Sequence, residues 1–161
     1  MDFQHERRQM LSNYISGADG RRYRFHTERM TWHQAGKTCE AEQAHLAFDD
    51  NPVTHQYITT NYVQYSHWWI GAMKNEEGGF DWLDGRPVTQ TYWGVREPDD
   101  NGLGGKGCVQ TNYEIITRIG NWNEQHCLDR EMFLCQREGS NITDRIKTAL
   151  IQHRFLLRQI K

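Results

Sequence analysis

Residues 97–135 decide the fold, and they read EPDDNGLGGKGC, VQTNYEIITRIGNWNEQHC and LDREMFLC in succession. This stretch holds three of the four cysteines and begins with Glu97-Pro98-Asp99, a proline between two carboxylates. Four glycines follow within residues 102–107, and Trp122-Asn123-Glu124 comes later in the same stretch. Oxygen donors separated by turn residues and flanked by cysteines suit a hard cation such as Ca²⁺, which takes about 6–8 oxygen ligands.

The four cysteines stand far apart along the chain, at Cys39, Cys108, Cys127 and Cys135. Zinc sites made of cysteine usually contain close pairs with roughly two to four residues between them, and this sequence has no such pair. Two disulfides are therefore the better interpretation, and they indicate an oxidising, extracellular setting. Four cysteines allow three connectivities, and the spacing alone does not choose between them.

Length and composition fit one domain with a short appendage. The chain has 161 residues, of which 37% are hydrophobic. No apolar run approaches the roughly 20 residues that span a bilayer. Because no apolar segment typical of a signal peptide stands near the N-terminus, we expect a mature or trimmed chain. The formal net charge of −2 divides into +4 for residues 140–161 and −6 for the rest. A mildly acidic body argues against a nucleic-acid partner.

Several motifs occur in an order that is typical of one family. Trp69-Ile70-Gly71 and Phe80-Asp81-Trp82 precede the acidic tripeptide, and the cysteines have the order and approximate spacing of that family's four core cysteines. From about Tyr23 to Arg137 the sequence resembles the C-type lectin family. In this resemblance Glu97-Pro98-Asp99 looks like the sugar-selecting tripeptide, and Trp122-Asn123-Glu124 looks like the family's Trp-Asn-Asp.

The resemblance implies an α+β, C-type lectin-like fold with two helices, small antiparallel sheets, a long irregular binding loop and an extra C-terminal helix. It also implies the disulfides Cys39–Cys135 and Cys108–Cys127. The first helix is expected after Thr31, which forms a capping-box pattern with Gln34. The expected organisation is an N-terminal extension over residues 1–20, a C-type lectin-like domain over 21–138 and an amphipathic basic helix over 139–161.

The resemblance also implies the ligands of one calcium ion, whose coordination two adjacent sugar hydroxyls complete. The corresponding residues are Glu97, Asp99, Asn123 and Glu124. The sequence departs from the family at Lys106, two residues before Cys108, where calcium-binding members usually carry Glu. Three alternatives stay open: calcium binds with one ligand fewer, the Lys106 ammonium occupies the carboxylate pocket, or the site is an empty vestige. Mannose-type or galactose-type selectivity is not decided.

The C-terminal segment has an apolar heptad seam, which steps by 4, 3, 4 and 3 residues. A helix of this length needs an apolar partner surface in water. It packs on its own domain, associates with a second copy, or lies on a membrane surface. The residues of the seam are Ile146, Leu150, His153, Leu157 and Ile160.

These observations predict a secreted, extracellular lectin that binds terminal sugars through Ca²⁺, with Lys106 beside the sugar and a homo-oligomer formed through the C-terminal helix. The alternative is a calcium-independent module that recognises a protein or another surface, with Lys106 filling the vestigial site. An enzyme is not expected, because no G-x-S-x-G, H-E-x-x-H or P-loop pattern occurs.

Overall fold

The computed structural model describes residues 2–62, 65, 67–99, 107–114, 119–139 and 141–160. The helices and strands are, in chain order, α1 (Phe3–Ser12), β1 (Ile15–Ser16), β2 (Arg22–Met30), α2 (Trp32–Ala41), β3 (His45–Leu46), α3 (Pro52–Asn61), β4 (His67–Lys74), β5 (Phe80–Trp82), β6 (Gly107–Glu114), β7 (Ile119–His126), β8 (Glu131–Arg137) and α4 (Ile142–Ile160).

The strands form one mixed sheet in the order β1-β2-β8-β4-β6-β7, with β3 beside β8 and β5 beside β4. Most neighbours are antiparallel, and β4 runs parallel to β8. The hairpin of β6 and β7 is at one end of this order and pairs Val109 with Glu124 and Gln110 with Asn123. The second acidic motif therefore lies on the edge strand of the sheet.

The helices begin at the capping residues that the sequence contains. The Thr31 side chain accepts a hydrogen bond from the backbone N–H of Gln34, and the Gln34 side chain accepts one from the backbone N–H of Thr31, so the predicted capping box is present. Helix α3 begins after Asn51, whose side chain accepts a hydrogen bond from Thr54 N–H, with Pro52 in the first turn. Both helices thus start where backbone N–H groups gain side-chain acceptors.

The two disulfides have the implied pairing. Cys39 of α2 is bonded to Cys135 of β8, and Cys108 of β6 is bonded to Cys127, just after β7. The first bridge fixes a helix to the middle of the sheet. The second closes the base of the β6–β7 hairpin and so holds in place the two strands that flank the candidate site.

Aromatic residues fill the core. The fully buried rings include several of the tryptophans that the sequence presents, and each lies among other apolar side chains. Trp32 and Trp69 also donate indole hydrogen bonds, to the carbonyls of Ile70 and Met30 respectively, which satisfies their polar atoms inside the core. The largest of these buried side chains are Trp32, Trp68, Trp69, Trp122, Tyr23 and Phe133.

The C-terminal helix packs on its own domain, but through residues other than the predicted seam. Ile151 and Phe155 of α4 are buried in the common core. The Phe155 ring lies against Gly36 of α2, where a Cβ would collide with it. The seam residues Ile146 and Leu150 are more than half exposed instead. The described seam residues, Ile146, Leu150, His153 and Leu157, therefore lie on the solvent-facing side of the helix.

The N-terminal extension contributes to the same unit. Strand β1 pairs with β2, and the Tyr14 side chain between α1 and β1 is buried in the core. Within the described ranges, the structure contains no helix with the length and apolar character that crossing a membrane requires.

Candidate functional site

The loop after β5 is anchored on β7 by backbone hydrogen bonds. Trp122 N donates to Tyr92 O at 2.7 Å, and Gly94 N donates to Trp122 O at 2.9 Å. Arg96 has a positive φ of 66°, an uncommon conformation for a residue other than glycine. The next peptide bond, Glu97–Pro98, is cis. These features bring the acidic tripeptide beside β7.

The Glu97 carboxylate joins the two acidic motifs. Its Oε2 accepts hydrogen bonds from the backbone N–H of Asp99 at 3.1 Å and of Glu124 at 3.0 Å. The first contact orders the tripeptide itself, and the second ties it to β7. The structure thus brings together two segments whose predicted site residues lie 24 or more positions apart in the sequence.

Asp99 and Asn123 present further oxygen atoms at this junction. The Asp99 side chain is half-buried, and its Oδ1 is enclosed without a hydrogen-bond donor among the described residues. The Asn123 side chain is also half-buried, and its Oδ1 lies near the backbone of Gly94. A buried carboxylate oxygen without a donor is costly. Asp99 is therefore the position in this loop where contact with a cation or a hydroxyl donor would stabilise the protein most.

Glu124 is buried on the core side of β7 and is paired with a lysine that the sequence analysis missed. The ammonium nitrogen of Lys74 lies 3.2 Å from Oε2 of Glu124, and the two side chains are 21% and 6% exposed. Gly107 permits this arrangement, because a Cβ there would overlap the Glu124 carboxylate. Lys74 is the last residue of β4, and Met73 before it pairs with Cys108, so the sheet register brings Lys74 to the site.

Lys106, the lysine that the sequence singled out, lies outside the described residues, as does the rest of the loop from residue 100 onward. The alternatives built on Lys106 therefore stay predictions. The carboxylates of Glu97, Asp99 and Glu124 do not gather within 4.8 Å of one another. Among the described His, Cys, Asp and Glu residues such a group is formed by His26, Glu42 and Cys135, and Cys135 is in a disulfide.

A buried hydrogen-bonded cluster supports the site from below. Oδ2 of Asp49 accepts hydrogen bonds from Nε1 of Trp122 at 2.8 Å and from Nδ1 of His55 at 2.7 Å. The Tyr92 ring stacks on His55 with centroids 3.5 Å apart. Burial raises the pKa of Asp49, and the hydrogen bonds from His55 and Trp122 act in the opposite direction. Asp49 thus fixes Trp122 of β7 directly and, through His55, Tyr92 of the loop. Trp122 precedes the second acidic motif, and Tyr92 precedes the first.

The start of the loop is fixed by a second carboxylate. Arg21 binds both oxygens of Asp50, at 2.6 Å and 3.1 Å, and Arg86 at the start of the loop binds Asp50 Oδ2 at 2.8 Å. Burial opposes ionisation of Asp50, but the hydrogen bonds from Arg21 and Arg86 outweigh it and lower its pKa. Arg21, which immediately precedes β2, and Arg86 of the loop are thereby held on the same carboxylate.

Comparison with known proteins identifies one family. The family model described as the lectin C-type domain matches residues 28–137. The hepatic lectin of Gallus gallus is 29% identical over 126 residues, which cover 74% of this chain and 56% of that protein. The chain spans between 31% and 56% of the length of the curated relatives that it matches.

Solved structures give the same result. The carbohydrate-recognition domain of the mouse scavenger receptor C-type lectin is 28% identical and superposes with a TM-score of 0.69, covering 81% of this chain and 97% of that domain. SPL-2 from Saxidomus purpuratus, described as a Ca²⁺-independent C-type lectin, is 25% identical with a TM-score of 0.70, covering 81% of this chain and 94% of that one. Together with the helices, the mixed sheet and the two disulfides, these likenesses confirm the predicted fold class.

Proposed function

Because the chain belongs to the C-type lectin domain family, we propose that it is a secreted lectin that recognises terminal sugars through Ca²⁺ at the junction of the Glu97-Pro98-Asp99 loop with β7. The observation that carries this proposal is the hydrogen bond from Glu124 N–H to Glu97 Oε2, since it places the two acidic motifs side by side. The two disulfides support an extracellular location. The relatives are lectins and receptors, and no catalysis is proposed.

The chemistry of the donor set suits calcium, although the carboxylates of Glu97, Asp99 and Glu124 do not all lie within 4.8 Å of one another in this structure. Three carboxylates and one amide are the oxygen ligands that this hard cation prefers, and Oδ1 of Asp99 is enclosed without a donor among the described residues. The residues that would hold the ion are Glu97, Asp99, Asn123 and Glu124. When bound, the ion supplies coordination positions for two neighbouring sugar hydroxyls. Lys106 remains proposed as a residue beside the sugar.

The side chains of the chain fix the orientation of those hydroxyls. A carboxylate accepts hydrogen bonds only, whereas the amide of Asn123 both donates and accepts. A sugar hydroxyl can therefore donate its proton to Glu97 or Asp99 and accept a hydrogen bond from Asn123. The two acceptors and the one donor together set which pair of adjacent hydroxyls fits.

A second candidate is a calcium-independent mode of recognition, and the Lys74–Glu124 ion pair favours it. The ammonium lies 3.2 Å from the carboxylate, and it supplies a positive charge at one of the proposed calcium ligands. In this candidate Lys74 donates hydrogen bonds to a ligand oxygen in place of the ion. A similar protein, SPL-2, is described as Ca²⁺-independent.

The test is a glycan array probed in Ca²⁺ and in EDTA, followed by calorimetric titration of the best ligand. We expect a signal that EDTA abolishes, and a loss of affinity of at least about tenfold in Asp99→Asn. Glu28→Ala is the control, because Glu28 is an exposed acid on β2. A signal that survives EDTA supports the second candidate, and no sugar signal in either buffer contradicts both.

We also propose self-association through the outer face of α4, which would link several weak sugar sites. The large apolar side chains on this face are 47–76% exposed. Light scattering of Leu150→Glu against the wild type tests this proposal. We expect a smaller particle in the variant, and a wild-type monomer at high concentration contradicts it. The exposed apolar residues are Ile142, Ile146, Leu150, Leu156 and Leu157.

A further inference from the structure

A basic cleft lies far from the sugar loop, between α1, the end of β8 and α4. It has a volume of about 610 Å³, in the size range of small-molecule sites. Four arginines from three separate elements line it, and the other lining residues are mainly polar. The arginines are Arg7, Arg8, Arg137 and Arg145, and the polar residues include Gln4, Gln43, Thr148 and Gln152.

The positive charge of this cleft is not neutralised by the described part of the chain. None of the four arginines lies within ion-pair distance of a described carboxylate. Glu138 also lines the cleft, but its carboxylate accepts hydrogen bonds from His45 at 2.8 Å and from Gln136 at 2.9 Å. The lining thus carries four positive charges against one negative charge that is already hydrogen-bonded.

Arg137 is the most constrained of the four. Its side chain is half-buried, and its Nε is enclosed without an acceptor among the described residues. Its guanidinium carbon lies 5.5 Å from the centre of the Tyr14 ring, a cation–π contact that holds it in place. Burial lowers the pKa of Arg137, as do the nearby charges of Arg22 and Arg7, whereas Tyr14 and Glu42 act in the opposite direction. An enclosed guanidinium N–H without an acceptor favours a bound anion.

We propose that this cleft binds a sulfated saccharide chain, with the sulfate groups on the arginines. The planar guanidinium fork matches the oxygen geometry of such anions. Arginines on both walls suit an extended ligand with several charges. The polar side chains of the lining suit hydrogen bonds to hydroxyl groups, whereas the acyl chains of a lipid would find no large apolar side chain among the described residues that line the cleft. The lining therefore favours a saccharide over a membrane.

The cleft is separate from the lectin site in the fold. It lies at the end of β8 near β1 and β2, whereas Asn123 and Glu124 are on β7, at the other end of the strand order. Binding there needs neither Ca²⁺ nor the Glu97 loop. The two proposals therefore stand or fall independently.

The test is calorimetric titration of the full chain with a heparin tetrasaccharide in low salt. Arg7→Glu/Arg145→Glu should weaken binding by roughly tenfold per arginine. Arg130→Glu is the matched control, since Arg130 is exposed at the far end of β8, next to Glu131. Neither EDTA nor Asp99→Asn should change the affinity, and a desulfated tetrasaccharide should not bind.

The proposal is overturned by no binding of the tetrasaccharide, by equal weakening by the control substitution, or by equal binding of the desulfated form. Binding to vesicles that contain phosphatidylserine without binding to the tetrasaccharide would assign the cleft to a lipid surface and overturn it as well. Circular dichroism checks folding of the charge-reversal pair. If that pair does not fold, Arg7→Gln/Arg145→Gln provides the same comparison with smaller changes.

Discussion

The ammonium nitrogen of Lys74 lies 3.2 Å from Oε2 of Glu124, and this ion pair occupies the place where a cation is proposed. The charge and the size of the two occupants differ. Lysine brings one charge and three N–H donors, whereas Ca²⁺ brings two charges and several coordination positions. The two modes of sugar recognition therefore differ in the cation that Glu124 binds, which is Ca²⁺ in the first mode and the Lys74 ammonium in the second.

Lys74→Met removes the ammonium and keeps much of the side-chain volume. We expect the Ca²⁺ affinity measured by calorimetry to rise by about tenfold, because no lysine then competes for Glu124. In EDTA the free energy of unfolding should fall by about 1–3 kcal/mol, since Glu124 loses one charged partner. Lys37→Met, at an exposed position of α2, is the control. An unchanged Ca²⁺ affinity would mean that Glu124 is not a ligand.

Two substitutions of Glu97 distinguish the role of its hydrogen bonds from the role of its charge. Glu97→Gln keeps an oxygen that accepts from the N–H groups of Asp99 and Glu124, so the melting temperature should hold while sugar binding falls. Glu97→Ala removes both acceptors and should also cost about 1–3 kcal/mol of unfolding free energy. Hydrogen exchange at Glu124 N–H should then become faster. Sugar binding that persists in both variants argues against a role of Glu97 in the site.

The pKa of Asp50 gives a pH dependence with a defined sign. Because its pKa in the folded protein is lowered by Arg21 and Arg86, its contribution to stability is fully present above the unfolded value of about 3.9. This contribution is lost as the pH falls through the folded value. We expect Asp50→Asn to lower the unfolding free energy by about 2 kcal/mol at pH 7. The difference from wild type should shrink below pH 4, and a difference independent of pH contradicts the assignment.

Phe155 and Leu157 are a matched pair on α4. Phe155→Ala should cost about 3–5 kcal/mol of unfolding free energy, because the ring fills the notch at Gly36 in the core. Leu157→Ala should change the unfolding free energy by less than about 0.5 kcal/mol, since Leu157 is half exposed. Denaturant unfolding measures both. Equal effects of the two substitutions would mean that the helix does not dock through Phe155.

The sequence predicted the elements whose signals are local. Thr31 and Gln34 match a capping box because they stand three positions apart at the start of a helix. The motif residues around Glu97 and Asn123 follow the order that is typical of the family. Their proximity in the fold follows from the resemblance. The Cys39–Cys135 pairing was likewise implied by the family.

The rest depends on contacts that no local pattern encodes. Lys74 reaches Glu124 only because β4 pairs with β6 in one register, and the two residues are 50 positions apart. Helix α4 has apolar residues on two sides, and periodicity does not reveal which side docks. The notch at Gly36 selects Phe155, and the heptad seam with Leu150 is left outside.

The most direct measurement is a crystal structure of the wild-type protein grown with Ca²⁺ and its best array ligand. We expect a sugar whose adjacent hydroxyls lie within hydrogen-bond distance of Glu97 and Asp99, beside Asn123. A sugar bound elsewhere on the domain, with the Glu97 loop facing only solvent, would contradict it.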